Sequence, residues 1–311
     1  MIGEIISRSV GVSYPAINAS EIARLSIPCP PLAEQRAIAA FLDRECGKID
    51  TLVAEQERLI ALLKEKRQAV ISHAVTKGLD ANAPMKDSGI EWLGQVPAHW
   101  EVKRLKFLVR SGTSISYGIV QPGEHQDDGV PFVQTTNMSS GDFDIEHLQR
   151  TTPEIAAAYP RTCLEGGEVL LGIRASIGAA HIAPDRLRGA NLSRGVARIV
   201  CNQPVSSDFL VAALRSDAVA EYWALMRQGS TFNEVSIETV RELAITVPPP
   251  HEQEAIACFV EVEARAFDAL IAEAERAILL LKERRAALIS AAVTGKIDVR
   301  HLVAAEKAEA A

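Results

Sequence analysis

Two stretches of the chain carry apolar side chains at alternating three- and four-residue steps, or multiples of them. In the first, the stripe is Ile38, Leu42, Ile49, Leu52, Leu59, Leu63 and Val70; in the second, it is Ile256, Val260, Phe267, Leu270, Leu281 and Leu288. A stripe with this period is the seam of a coiled coil. Away from the seam the residues are rich in Glu, Lys and Arg. Glu45, Gln56 and Lys66 are polar gaps that weaken the first seam. The pattern predicts helices over about Ala33–Thr76 and about Glu252–Thr294. An ordinary amphipathic helix of a globular core is the alternative. About forty residues without a central breaker favour the coiled coil. At about 1.5 Å per residue, each helix would be roughly 65 Å long. The first ends where the central region begins and the second starts where it ends, so the expectation is an antiparallel pair.

The region between them has a different texture. Short apolar runs bounded by glycine, at Val130–Val133, Val169–Ile173, Ala179–Ile182 and Val196–Val200, are strand signals. Helical patterns fall at Pro153–Ala158 and Asp208–Gln228, and Gly78–Pro84 is a candidate hinge. The predicted fold class is α+β, one globular domain plus two long helices forming an antiparallel coiled coil.

The two helices belong to a duplicated segment. Residues 21–80 align without a gap to residues 239–298 at an offset of 218, and thirty of the sixty aligned pairs are identical. Each copy is expected to open on a short strand, Leu25–Ile27 or Leu243–Val247. Prolines then stop it: Pro28, Pro30 and Pro31, or Pro248 to Pro250. Glu34 and Glu252 sit in the first helical turns, where negative charge suits the helix dipole.

Charge changes the picture by region rather than globally. The net charge is −7, which argues against a nucleic-acid binder if taken over the whole chain. From Arg174 to Arg198, however, five arginines (Arg174, Arg186, Arg188, Arg194 and Arg198) face one acid, Asp185. Lys103, Arg104, Lys106 and Arg110 form a second cluster. Such patches can hold phosphates. Arg174 and Ser176 lie between two glycines in Leu171-Gly-Ile-Arg-Ala-Ser-Ile-Gly-Ala, where backbone can approach closely and Arg can read guanine with two hydrogen bonds. Gln134, Thr135, Thr136 and Asn137 follow a predicted strand. Asn and Gln are natural readers of adenine, and turn chemistry is the plainer explanation of that run. With Asn191, the candidate DNA-binding set is Lys103, Arg104, Lys106, Gln134, Thr135, Thr136, Asn137, Arg174, Ser176, Arg186, Arg188, Asn191 and Arg194.

Other classes gain little support. The first ten residues carry Glu4 and Arg8 and no long apolar run, unlike a signal peptide. Apolar stretches are short and flanked by charge, so no membrane association is expected. Five cysteines, far apart and with no metal-ligand spacing, suit buried thiols in a reducing cytoplasm, and no metal site is expected. The seven histidines are scattered, and neither GxGxxG after a strand nor GxxxxGK[ST] occurs. No catalytic residue is expected.

Four segments resemble one family. Met85-Lys-Asp-Ser-Gly-Ile-Glu-Trp-Leu-Gly-Gln-Val-Pro-Ala-His-Trp100 closely resembles the start of a target-recognition domain in specificity subunits of type I restriction–modification systems. Pro30-Pro-Leu-Ala-Glu-Gln-Arg and Pro249-Pro-His-Glu-Gln-Glu are similar to that family's openings of its spacer helices, and Gly229-Ser-Thr-Phe-Asn to the segment before the domain's last strand. The resemblance implies a subunit without catalysis of its own, in a prokaryotic cytoplasm. Its partners would be double-stranded DNA, methyltransferase (modification) subunits and a restriction (motor–nuclease) subunit. S-adenosylmethionine, Mg2+ and ATP would be bound by those partner subunits, with no cofactor in this chain. It implies a remnant of a first recognition domain at 1–30, spacer helices at 31–78 and 249–297, a linker at 79–84, one full recognition domain at 85–248 and a tail at 298–311. Gly11-Val-Ser-Tyr-Pro aligns with Gly229-Ser-Thr-Phe-Asn at the offset of the repeat, as a stub of that first domain would. Two such chains could self-associate to read a symmetric split site. A coiled-coil adaptor with a ligand other than nucleic acid is the competing expectation, favoured by the net charge.

Overall fold

The computed structural model describes residues 2–9, 16–27, 29–141, 143–227 and 234–299. The segments 11–15 and 229–233, Pro28 and most of the expected tail lie outside the described residues. In chain order, the helices are α1 Ile2–Arg8, α2 Ala19–Ala23, α3 Leu32–Lys77, α4 Thr135–Ser140, α5 Pro153–Ala157, α6 Ser207–Leu214, α7 Asp217–Arg227, α8 Ile237–Glu242 and α9 Pro250–Val293. The strands are β1 Met85–Asp87, β2 Gln95–Pro97, β3 Glu101–Arg104, β4 Ser116–Tyr117, β5 Val130–Val133, β6 Arg150–Thr151, β7 Val169–Gly172, β8 Ala180–Ile182, β9 Asn191–Leu192, β10 Val196–Ile199 and β11 Ala244–Val247. The chain divides into two compact units, 1–61 with 271–311, and 62–270.

In the first unit the start of α3 lies against the end of α9, so the helices run antiparallel there. Phe41 and Ala292 are buried together with Val299, and Ile38, Leu42 and Leu288 pack around them. Arg285 donates to Asp50 from Nε at 2.9 Å and from Nη2 at 3.4 Å. Inward positions on α3 in this unit are Leu42, Cys46, Ile49, Val53, Gln56 and Ile60, and on α9 Ile271, Ala274, Ile278, Leu281, Arg285, Leu288 and Ala292. In the second unit the α3 positions Leu63, Arg67, Val70 and Ala74 continue the same three–four step, with Ile256, Val260, Ala264 and Phe267 on α9.

The seam therefore differs from the one expected. Leu52, Leu59 and Leu270 are 45%, 43% and 49% exposed and do not belong to it. A leucine that falls one position beside the stripe matches a sum of three- and four-residue steps while pointing sideways. Cys46, Val53, Ile60, Ile271, Ala274 and Ile278 take the inward places instead.

The second unit holds the mixed sheet structure. Its main sheet has the order β4-β10-β7-β8, antiparallel throughout. Alternate residues point to opposite faces of a strand. Val169 and Leu171 of β7 and Ala197 and Ile199 of β10 enter one core, with Trp100, Phe209 and Trp223. Leu170 and Val196 enter a second core on the other face, with Val133, Met138, Phe143 and Leu187. This two-sided burial explains why these runs read as continuous apolar segments. Arg198 sits two residues from Val196 and so faces the second core. It is 6% exposed and donates from Nε and Nη2 to Oε1 of Glu168, at 3.1 and 2.7 Å.

Ala74 and Val75 of α3 and Ile256 of α9 are part of the first core, so the long helices are built into the domain's interior. Trp100 Nε1 donates to Glu252 Oε2 at 2.9 Å, and Thr246 Oγ1 to the Val75 carbonyl at 2.6 Å. α3 stops at Gly78, whose φ of +80° is open to glycine at no steric cost. A Cβ there would lie 3.2 Å from the Trp100 ring.

Two expectations fail. Leu25–Ile27 forms no strand. Its repeat partner becomes β11 because β3 pairs with it from Glu101 to Arg104, and no described strand offers the first copy a partner. The thiols are not uniformly buried: Cys46 is buried and Cys201 half-buried, but Cys29, Cys163 and Cys258 are exposed.

Candidate nucleic-acid interface

Three of the sequence-selected groups converge. The loop after β7 turns tightly, with Gly178 N donating to the Gly172 carbonyl at 3.0 Å. Ala175 takes a left-handed φ of +57°, which costs a residue with a Cβ about 1–2 kcal/mol. Such strain concentrates at functional sites. Ser176 Oγ donates to the Thr135 carbonyl at 3.0 Å and lies 2.7 Å from Ser139 Oγ, tying the loop to α4. Gly195 closes the arrangement from β10: a Cβ there would lie 2.3 Å from Thr135 Cγ2 and 3.5 Å from Arg174 Cβ. Arg174, Ser176, Thr135 and the Arg194–Gly195 turn thus share one place, although up to 60 residues separate them in sequence.

The polar run after β5 is a helix start rather than a loop. Gln134 N donates to Asn137 Oδ1 at 2.9 Å, so Asn137 caps α4 from inside its first turn. Thr136 is exposed, and Gln134 and Asn137 are half-buried. Arg194 is exposed.

Arg174 is not free. Its Nε donates to Glu234 Oε2 at 2.9 Å, and its Nη2 bonds the same oxygen. The two residues also form an isolated antiparallel bridge, and Val235 N donates to the Ile173 carbonyl at 2.8 Å. Sequence reasoning missed Glu234, Ser139 and Gly195. No local pattern marks Glu234, because its partner is sixty positions away.

The other candidates stand elsewhere. Asn191 is 2% exposed and its amide is used inside the fold. Nδ2 donates to the Ala156 and Tyr159 carbonyls, each at 3.3 Å, and Oδ1 accepts from Thr162 Oγ1 at 2.6 Å and Leu192 N at 2.8 Å. It has no edge left for a base, so its assignment to DNA is corrected. Arg198, counted in the basic run, is likewise internal. Arg186 spends Nε on the Phe143 carbonyl at 3.0 Å, and Arg188 lies 3.6 Å from Asp185; both are exposed.

Lys103, Arg104 and Lys106 carry partners of their own. Lys103 pairs with Glu101, and Arg104 and Lys106 share Glu242, the former at 2.7 Å. The hydrogen bond from Lys106 holds the Glu242 carboxyl below the usual range, and that from Lys103 does the same to Glu101. Among the described residues, no hydrogen bond or ion pair joins this cluster to the loop after β7.

Comparison with known proteins agrees with this architecture. Residues 1–59 and 97–278 match the type I restriction modification DNA specificity domain. The EcoBI specificity subunit of Escherichia coli is 23% identical over 304 residues, covering 96% of this chain and 64% of that protein. The MjaVIII specificity subunit of Methanocaldococcus jannaschii is 25% identical over 305 residues, covering 95% and 68%. The chain thus spans about two thirds of the length of these relatives. Two solved structures share the fold. One, from work on assembly and conformational transition of a type I R-M system, has a TM-score of 0.70 at 20% identity over 94% of this chain and 67% of that one. The HsdS subunit of Thermoanaerobacter tengcongensis has a TM-score of 0.54 at 19% identity, covering 95% and 68%. By the residues matched, this chain belongs to the type I restriction modification DNA specificity domain family.

Proposed function

We propose that this chain is a DNA-recognition subunit of a type I restriction–modification complex. The second unit reads one part of a split site, and α3 and α9 dock methyltransferase subunits. The observation that carries the reading is the convergence of Arg174, Ser176, Thr135 and the Arg194–Gly195 turn on a strained, hydrogen-bonded loop. Arginines and small polar residues on a rigid support are what base and phosphate contacts need.

Docking through the helices draws support from the repeat. Leu52 and Leu270 occupy equivalent positions and are 45% and 49% exposed; Leu62 and Leu280 do likewise, at 52% and 60%. Apolar side chains kept on the outside in both copies suit a partner of the same kind on each helix. In this reading the chain performs no catalysis. The methyltransferase subunits bring S-adenosylmethionine, and the restriction subunit brings the ATP- and Mg2+-dependent chemistry. The complex works in a prokaryotic cytoplasm, and two copies of the chain supply the two parts of a symmetric site.

The test is duplex DNA binding by the chain together with its methyltransferase at low and high salt. Affinity that falls steeply with salt, with a preferred sequence surviving, is expected. No binding at either salt would overturn the reading.

A further inference from the structure

We propose that Glu234 is a specificity-determining positioning residue. It holds the Arg174 guanidinium side-on, so that the outer edge of that group is presented to a guanine. The inference rests on the DNA-recognition reading above. Glu234 takes the Nε and Nη2 side of Arg174 through a single oxygen, Oε2. A guanidinium gripped on that side keeps Nη1 and the outer N–H of Nη2 for a second acceptor pair, the geometry that guanine O6 and N7 offer in the major groove.

The support around the pair is rigid. The backbone bridge between Arg174 and Glu234 sets the two Cα atoms opposite each other, and Ala175 is held left-handed beside them. Ser176 anchors the loop to α4, and Gly195 lets Thr135 and Arg174 come together over it. The ion pair remains open to a ligand, since the side chains of Arg174 and Glu234 are 32% and 37% exposed. A pair serving the fold alone, such as Arg198 with Glu168 at 7% and 3%, is closed off.

The experiment uses the chain in complex with its methyltransferase. Base preference is measured on a randomised duplex library for wild type, Glu234→Ala, Glu234→Gln, Arg174→Lys and the Glu234→Ala/Arg174→Lys double variant. Arg174→Lys and Glu234→Ala are each expected to relax the preference for guanine at one and the same base pair, by about tenfold. The double variant should lose little more than either single one, because both act through one contact. Glu234→Gln, which keeps shape and an acceptor oxygen, should retain part of the preference. Preferences at other positions and the slope of affinity against salt should be unchanged.

Relaxation at different base pairs, or a uniform loss of affinity with every preference intact, would overturn the proposal. The latter is what a latch of the fold or a phosphate contact would produce. If wild type itself shows no sequence preference, the DNA-recognition reading fails. If wild type has a motif that the variants reproduce in full, only the role of Glu234 and Arg174 fails.

Discussion

Arg285 grips Asp50 with Nε on Oδ1 at 2.9 Å and Nη2 on Oδ2 at 3.4 Å, joining residues 235 positions apart. The same contact occurs once more, as Arg67 Nη2 on Asp268 Oδ2 at 3.4 Å. At the offset of the repeat, Asp50 corresponds to Asp268 and Arg67 to Arg285. Each aspartate is therefore paired with the arginine of the other copy.

These pairs are open to solvent, with side-chain exposures of 36% to 58%, so each contributes at most about 1 kcal/mol. Arg285→Ala is expected to lower stability by less than that, and exchanging the charges of Asp50 and Arg285 together to restore it. The repeat partner behaves differently, because Arg67 Nε is buried with no hydrogen bond among the described residues. Removing an unsatisfied donor is favourable, so Arg67→Leu should be neutral or stabilising. Urea denaturation compares the two, and a loss of several kcal/mol in Arg67→Leu would count against this account.

The Glu168–Arg198 pair is the opposite case. Burial works to raise the Glu168 carboxyl, but the amides of Glu165 and Gly166 at 2.6 and 2.8 Å and the Arg198 guanidinium outweigh it and hold it below the usual range. A carboxyl depressed in the folded state adds stability that is present above its ordinary value and lost as pH falls through the folded one. Glu168→Gln should cost at most about 3–5 kcal/mol, since it leaves buried Arg198 with only the more distant Glu165 carboxylate, Oε1 at 3.5 Å, to face it. Glu168→Leu with Arg198→Met should cost far less. Thermal melts at pH 7 and pH 4 check both, and the acid sensitivity should shrink in the double variant.

His181 is held neutral. Nε2 donates to the Met138 carbonyl at 2.9 Å, and Nδ1 accepts from Arg215 Nη2 at 3.1 Å. Burial pushes its pKa down, and the Arg215 cation adds to this. Above pH 6.5 it is neutral whether folded or unfolded, and its contribution is complete. As pH falls below 6.5 the unfolded chain takes up the proton first, and stability is lost down to the folded value. The melting temperature of wild type should therefore fall between pH 7 and pH 5 by more than that of His181→Gln. Parallel curves would show that His181 plays no part.

Gln35 and Gln253 are equivalent in the repeat and make the same local bond, Nε2 to the carbonyl five residues back, at 2.8 Å to Pro30 and to Pro248. Gln35 adds a solvent-exposed bond to Cys29 Sγ at 3.7 Å, whereas Gln253 donates to the Pro204 carbonyl at 2.8 Å, accepts from Ser206 N at 3.0 Å and is 1% exposed. Gln253→Ala should cost about 1–3 kcal/mol by leaving buried partners unpaired. Gln35→Ala, on an exposed residue, should stay within about 0.5 kcal/mol. Equal losses in chemical denaturation would contradict the difference.

The two long helices, their antiparallel course where they pair, the main strands and the family were all legible in the chain alone. The helices depend on periodicity, on proline and glycine at their ends and on a gapless repeat, the strands on apolar runs bounded by glycine, and the family on the resemblance carried by Met85–Trp100 and the helix openings, all of which are local or self-referential. Packing settled which of two neighbouring residues faces inward, and it turned Leu52 and Leu270 outward. It also made a strand of Ala244–Val247 in the second copy and none of Leu25–Ile27 in the first, because β3 lies beside the second copy alone among the described strands. The arginines were sorted in the same way. Arg198 is internal, Arg174 is held by Glu234 and Arg194 is exposed, although all three lie within 25 residues. A side chain's partner is set by whatever the fold brings within about 3 Å, and for Arg174 that residue stands sixty positions along the chain.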